Sequence, residues 1–296
     1  MDQIDWNQLR AFLETAEAGS LSAAARRLGL TQPTLGRQVA AIERSLNIAL
    51  FERVGKRMVL TATGRVLLEQ ARTMGAAAQA IGLTAAGHSQ AAEGVVSISA
   101  SEVVAAHLLP RMLQRLRREA PGVVVEVIAS DSLSDLQRRE ADIAIRHVRP
   151  EQPELIGRLI REASASFYAT PSWVAAHGHP RTVADALQHE FVGADRAGQY
   201  LGYLHALGLP LKESQFRCYC DNSATHWELV RQGLGIGAMM DDIALRTPGV
   251  VRVLDDVPLV RFPIWLVTHR ELHTARRIRI VYDLLAEAML EAGSQS

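Results

Sequence analysis

The run Ser20-Leu21-Ser22-Ala23-Ala24-Ala25-Arg26-Arg27-Leu28-Gly29-Leu30-Thr31-Gln32-Pro33-Thr34-Leu35 constrains this chain more tightly than any other stretch. Two short helical patterns flank the turn Gly29-Leu30-Thr31, where a glycine lets the backbone leave one helix in the left-handed conformation before the next begins. Ser22 is expected to cap a helix over Ala23 to Leu28, and Thr31 to cap one from about Gln32 to Leu46 that Asn47 closes. Upstream, Leu9, Phe12, Leu13 and Ala16 recur at the period of an amphipathic helix between Asp5 and Ala18, ending at Gly19. Downstream, Phe51 to Leu60, broken by Gly55, predicts a two-stranded ribbon with Lys56 and Arg57 near its tip. The arrangement is that of a winged helix-turn-helix, which holds one helix rigid for a DNA groove.

At 296 residues the chain is too long for such a module alone, and its 48 % hydrophobic content is enough for one or two further cores. Basic and acidic side chains balance at 32 each, so contact with a polyanion requires a local excess. Residues 1–65 supply one: nine basic side chains against six acidic, a net of +3. Thr61 or Thr63 then caps a helix that runs to about Ala86, a rod of about 35 to 40 Å at its usual rise. Leu67, Met74 and Ile81 recur every seven residues, with Ala71, Ala78 and Ala85 four after each. That alternation of large and small predicts a dimerisation seam in preference to a helix lying on its own domain. Gly75 and Gly82 each weaken the helix by about 1 kcal/mol, so packing must compensate.

Beyond a hinge at Gly87-His88-Ser89-Gln90 the pattern changes. Strand-like runs (Val95 to Ser99, Val123 to Ile128, Ile143 to Arg146) alternate with helical ones (Val103 to Glu119, Leu133 to Glu140), the rhythm of a parallel sheet with crossover helices. A second set follows: strands Ala165 to Ala169, Phe191 to Ala194, Gln215 to Cys220 and Gly235 to Met240, with a helix Ser223 to Gln232. The strand Ile264 to Thr268 precedes a final helix, His273 to Glu291. Two such halves imply a cleft between them. Cys218 and Cys220 share one face of a strand and are poorly aimed at each other, which disfavours a structural disulfide and leaves a redox-sensing pair as the alternative to two half-buried thiols. The acidic N-terminus and the lack of a long apolar run point to a cytoplasmic protein with no membrane partner.

These features resemble the LysR-type transcriptional regulators over the whole architecture. The most specific part is Phe12, Ser20 to Leu30, Thr31-Gln32-Pro33, Glu43, Leu50-Phe51-Glu52-Arg53, Leu60-Thr61 and Gly64; Gly233-Leu234-Gly235-Ile236-Gly237 is a weaker echo. The resemblance implies a winged helix-turn-helix over 1–64, a linker and dimerisation helix over 65–88, and an α/β, periplasmic-binding-protein-like effector domain over 89–296. Within that domain, subdomain I covers about 94–163 and 265–296, and subdomain II about 164–264. It also implies double-stranded operator DNA, a small-molecule effector and further copies of the chain (a dimer, and dimers of dimers) as partners, with RNA polymerase open as another and no cofactor. Two departures stand out: Gly36 where the family usually has Ser, and Met239-Met240 in place of a common Leu-Pro.

For DNA, Gln32, Pro33, Thr34 and, one turn on, Arg37 are placed to meet base edges, with Arg37 suited to a bidentate grip on guanine and Gln32 to adenine or a phosphate. Ser22 and Thr31 are caps whose hydroxyls also reach phosphates, while Arg53, Lys56 and Arg57 lie along the backbone or enter the minor groove. In the cleft, ligands of open α/β sheets sit beyond the carboxyl ends of strands. The turns Ser99-Ala100-Ser101, Ser130-Asp131-Ser132 and Arg146-His147 qualify, facing Asn222 and Ser223 at the start of another helix. Ser101 and Ser130 match positions that often touch effectors in the family. Arg146 either pairs with an effector carboxylate or with Glu102 or Asp131, and Asp131 either caps its helix or selects an amine or hydroxyl. Catalytic motifs are absent: no phosphate-cradling loop, no zinc spacing, and only His177-x-His179 close together, in a context that reads as solvated loop. The alternatives kept are a regulator without effector response and a solute-binding protein.

Overall fold

The computed structural model describes residues 4–54, 57–87, 91–131, 141–258 and 260–293. The chain divides into two compact units, Met1–Ala85 and Ala86–Ser296. In the first, helix α1 (Trp6–Ala18) is capped by the Asp5 carboxylate, which accepts from the Asn7 and Gln8 amides, and it stops at Gly19 with φ +67°. Helix α2 (Leu21–Arg27) differs from the sequence reading: its cap is Ser20, not Ser22. Ser20 has the extended backbone that turns its hydroxyl back to the Ala23 amide, whereas Ser22 is already helical and donates to Gln32 Oε1 at 3.0 Å. Helix α3 (Gln32–Leu46) is capped by Thr31 and ends at Asn47 in the left-handed region, as its sequence indicates.

Strands β1 (Phe51–Val54) and β2 (Arg57–Leu60) pair antiparallel. Glu43 on α3 accepts from the Leu50 and Phe51 amides at 2.8 and 3.1 Å, fixing where the chain leaves α3 for the ribbon. Helix α4 (Ala62–Gly87) is capped by Thr61, whose hydroxyl accepts from the Gly64 amide and donates to the Ala49 carbonyl. Gly64 has no alternative there, since a Cβ would sit 2.2 Å from the Leu50 carbonyl oxygen. The core joins Phe12, Leu35, Ile42, Leu50, Leu68 and Ala71. Complete burial of a Leu, Ile or Phe side chain is worth about 1.5 to 3 kcal/mol. The expected seam on α4 is therefore divided: Ala71 packs into this core, while Met74 and Ile81 are exposed.

The second unit is built on a seven-stranded sheet. Its first part runs β3 (Gly94–Ala100), α5 (Glu102–His107), α6 (Leu109–Glu119), β4 (Val123–Ala129) and β5 (Ile143–Arg146). The single helix expected from Val103 to Glu119 is broken at Leu108, because Pro110 cannot donate the amide that would continue it. The expected helix Leu133 to Glu140, the turn residue Ser132 and the hinge residues 88–90 lie outside the described residues. Strand β6 (Leu155–Ala169) is 15 residues long and begins ten before the expected Ala165.

Then come α7 (Pro171–His177), α8 (Val183–Ala186), β7 (Phe191–Gly193), α9 (Gln199–Ala206), β8 (Phe216–Tyr219), α10 (Ser223–Arg231), β9 (Gly237–Met240), α11 (Asp241–Ala244) and β10 (Val251–Val253). Strand β11 (Val260–His269) and α12 (Arg276–Gly293) end the unit. Strand order is β10-β6-β11-β5-β3-β4, with β9 also on β6. The sheet is mixed, not parallel: β3 is parallel to β4 and β5, but β11 runs antiparallel to both β5 and β6. Along β6, residues Leu155 to Ala165 pair with β11 and residues Ala165 to Ala169 with β9 and β10, so one strand serves both lobes. A second apolar core gathers Phe167, Trp173, Phe191, Leu204, Phe216, Ile236 and Val253. No helix among the described residues is long and apolar enough to cross a membrane.

Candidate DNA interface and ligand cleft

On α3, Leu35, Val39 and Ile42 point into the core and leave Thr31, Gln32, Pro33 and Arg37 exposed, with Thr34 half-buried. The Thr31 and Thr34 hydroxyls lie 2.8 Å apart, and Thr31 accepts from the Thr34 amide. The hydroxyl of Ser22 holds the Gln32 side chain, so α2 orients the first residue of α3. Arg37 is exposed and has no ion pair or hydrogen bond among the described residues. Gly36 leaves open space: an added Cβ would meet only Leu21 Cδ1, at 3.8 Å. In the ribbon, Arg53 pairs with Met58 and Val54 with Arg57 in backbone register; Lys56 lies outside the described residues.

In the second unit a cavity of about 370 Å³ opens between the lobes. Val103 and Asp131 line it from one lobe; Ala165 comes from β6; Ala194, Tyr200, Cys220, Asp221, Ser223, His226, Ala238, Met239 and Met240 line it from the other. Asp131 ties the lobes together. Its carboxylate accepts from the Glu102 amide at 3.0 Å, the Ser223 amide at 2.8 Å and the Ser223 hydroxyl at 3.0 Å, while Ser223 Oγ also accepts from the Val103 amide. Burial, then the charges of Asp131 and Asp221, hold the Glu102 carboxyl above its ordinary range. Burial pushes His226 down, the Gly193 carbonyl offsetting it in part, so this ring is neutral at pH 7.

The comparisons with known proteins follow the same division. Residues 6–65 match the bacterial regulatory helix-turn-helix family of the lysR type, and residues 89–290 match the LysR substrate-binding domain. The chain belongs to the LysR family. It is 25 % identical over 296 residues to a probable transcriptional regulator of Klebsiella pneumoniae, LtrA, covering 97 % of this chain and 96 % of that one. Among solved structures it resembles the full-length Vibrio cholerae virulence activator AphB, with TM-score 0.63, 21 % identity and coverage of 96 % and 99 % of the two chains. Full-length CbnR complexed with its target DNA gives TM-score 0.58 and 21 % identity, with coverage of 96 % and 99 %. This LysR-family chain is thus a transcriptional regulator by family, and its relatives are regulators, not enzymes.

Of the six cleft residues expected from sequence, the regulator brings Asp131 and Ser223 to the cavity wall; Ser101, Ser130, Arg146 and Asn222 are not among its wall residues. Ser101 precedes α5 without a side-chain cap bond, a task taken by Asp131. The Ser130 amide donates to the Ala100 carbonyl, and Asn222 caps α10 through the Thr225 amide. Arg146 is buried and donates to Ser99 Oγ at 2.7 Å and the Ile145 carbonyl at 2.9 Å. His177, expected in solvated loop, ends α7 and stacks on Trp173 at 4.7 Å between ring centroids, because the indole face offers the imidazole a flat apolar partner. Both cysteines are free thiols, and Cys220 lines the cleft. Sequence reasoning missed Asp221, Tyr200 and His226, and singled out Glu43 without giving it a role. Asp221 had a local signal, since it immediately precedes the cap of α10; Tyr200 and His226 are brought in by long-range packing and had none.

Proposed function

We propose that this chain is a sequence-specific regulator of transcription whose α3 enters the major groove of operator DNA and whose cleft binds a small-molecule effector. The observation that carries the reading is the first turn of α3: Thr31 and Ser22 fix it, and Arg37, exposed and unpaired among the described residues, projects from the same helix. Arg37 reads guanine, Gln32 reads adenine or a phosphate, and Thr34 and Pro33 contact the adjoining edge. Ser22, Thr31, Arg53, Lys56 and Arg57 add sequence-independent, salt-sensitive contacts. The solved CbnR complex with target DNA, which shares this fold, supports that docking.

The exposed Met74 and Ile81 of α4 supply a pairing surface for a second chain, and dimers of such dimers set the spacing of half-sites. An effector that binds the closed cleft better than the open one shifts the population between them, and so alters DNA contacts or bending and what RNA polymerase meets at the promoter. Footprinting with the full chain on the DNA upstream of its own gene tests the reading. A discrete protected site whose boundaries move when the effector is added is expected; uniform, salt-labile coverage of any DNA overturns sequence-specific regulation, and boundaries indifferent to every ligand favour a regulator without effector response.

A further inference from the structure

Two arrangements in the cleft bear on what it accepts, given that it is the effector site. The amide of Glu102 at the start of α5 and that of Ser223 at the start of α10, which would otherwise catch an anion, are both taken by the protein's own Asp131 carboxylate. Meanwhile Asp221 lines the same cavity, exposed, with no hydrogen bond or ion pair among the described residues. Among the described residues of the wall there is no Lys or Arg, and the imidazole of His226 is buried. Arg146 is directed to Ser99 and Ile145. Apart from the Tyr200 hydroxyl and the Cys220 thiol, the rest of the wall is apolar: Val103, Ala165, Ala194, Ala238, Met239 and Met240.

We infer that the cleft selects a small ligand with an ammonium group on a compact apolar body, the nitrogen held by Asp221 and the body packed against Met239 and Met240. An anionic ligand entering here meets two carboxylates and displaces Asp131 from two amides, with no Lys or Arg among the described wall residues to receive it. An ammonium gains a charge-assisted bond to a carboxylate that has no hydrogen bond or ion pair among the described residues. The Met pair suits an apolar group of variable shape, since the thioether side chain adapts and contacts ring edges favourably.

Three probes of similar size, benzylammonium, benzyl alcohol and benzoate, are titrated by calorimetry into the full-length chain. Benzylammonium is expected to bind more tightly than benzyl alcohol, and benzoate least. Asp221→Asn, an exposed and isosteric change, should weaken benzylammonium by about tenfold or more while sparing benzyl alcohol, and Asp221→Arg should turn the order towards benzoate. Benzoate binding as well as benzylammonium, no binding of benzylammonium, or an unchanged affinity in Asp221→Asn overturns the inference. Ala238→Trp, which fills the cavity, separates the two levels. Probes lost on filling but bound without charge order leave the cleft standing and remove the ligand class. Probes bound equally after filling remove the cleft itself as the effector site.

Discussion

Arg37, Gly36 and Gly64 show how differently single positions on one small unit respond to change. Arg37→Ala should cost about 1 to 3 kcal/mol at the cognate operator and little on random DNA, measured by gel shift at fixed salt; equal losses on both would assign the side chain to a phosphate. Gly36 is helical, and an added Cβ meets nothing closer than 3.8 Å. Gly36→Ala is therefore expected to stabilise the unit by about 1 kcal/mol, seen as a higher urea midpoint at constant slope. Gly64 is the opposite case, because the Leu50 carbonyl fills the place a methyl would need. Gly64→Ala forces β1 and α4 apart and should lower the same midpoint sharply, and a midpoint like that of the parent would mean the ribbon can shift without cost.

Elements, in turn, were legible to the extent that their signals are local. The bounds of α1 and α3 follow from caps and a 3.6-residue period within a dozen residues, so Asp5, Gly19, Thr31 and Asn47 stand where the sequence places them. Ser20 against Ser22 could not be decided that way, because both hydroxyls lie within one turn of the same helix start and only backbone angle separates them. Strand direction was hidden for a deeper reason: β6 and β11 pair through contacts between residues about a hundred positions apart, which no short pattern encodes. In the cleft, Asp131 and Ser223 were legible as helix starts, whereas Tyr200 and His226 depend on how α9 and α10 pack within one lobe. For α4 the inward face (Leu68, Ala71) and the outward face (Met74, Ile81) make separable predictions. Met74→Glu with Ile81→Glu should leave the first unit folded but shift sedimentation towards monomer, while Ala71→Glu buries a charge and should unfold it. A double variant that sediments unchanged would place the pairing surface elsewhere.

Across the whole molecule, titration divides the two units. All ten histidines lie beyond residue 85. Burial holds His107, His147, His189 and His226 below the ordinary value of 6.5 in the folded protein. The unfolded chain thus binds more protons than the folded one just below that value. The contribution is full above pH 6.5 and is lost as pH falls through the lower folded values. Stability followed by tryptophan fluorescence, which Trp173, Trp227 and Trp265 report from the second unit, should decline as pH drops below about 6.5, before ordinary carboxylates titrate. His147→Gln with His226→Gln should flatten that decline; an equally steep decline in the double variant would assign it to other groups.

Strand β6 also limits how this molecule can be recombined. Because its 15 residues pair with β11 along one stretch and with β9 and β10 along the next, neither lobe of the second unit closes its sheet without a strand that the other lobe also uses. Exchange of segments with a relative is expected to succeed at the boundary of the two units, near residue 85, and to fail within 155–169. A lineage can therefore trade its DNA reader as a cassette, but the two walls of its ligand cleft must diverge together.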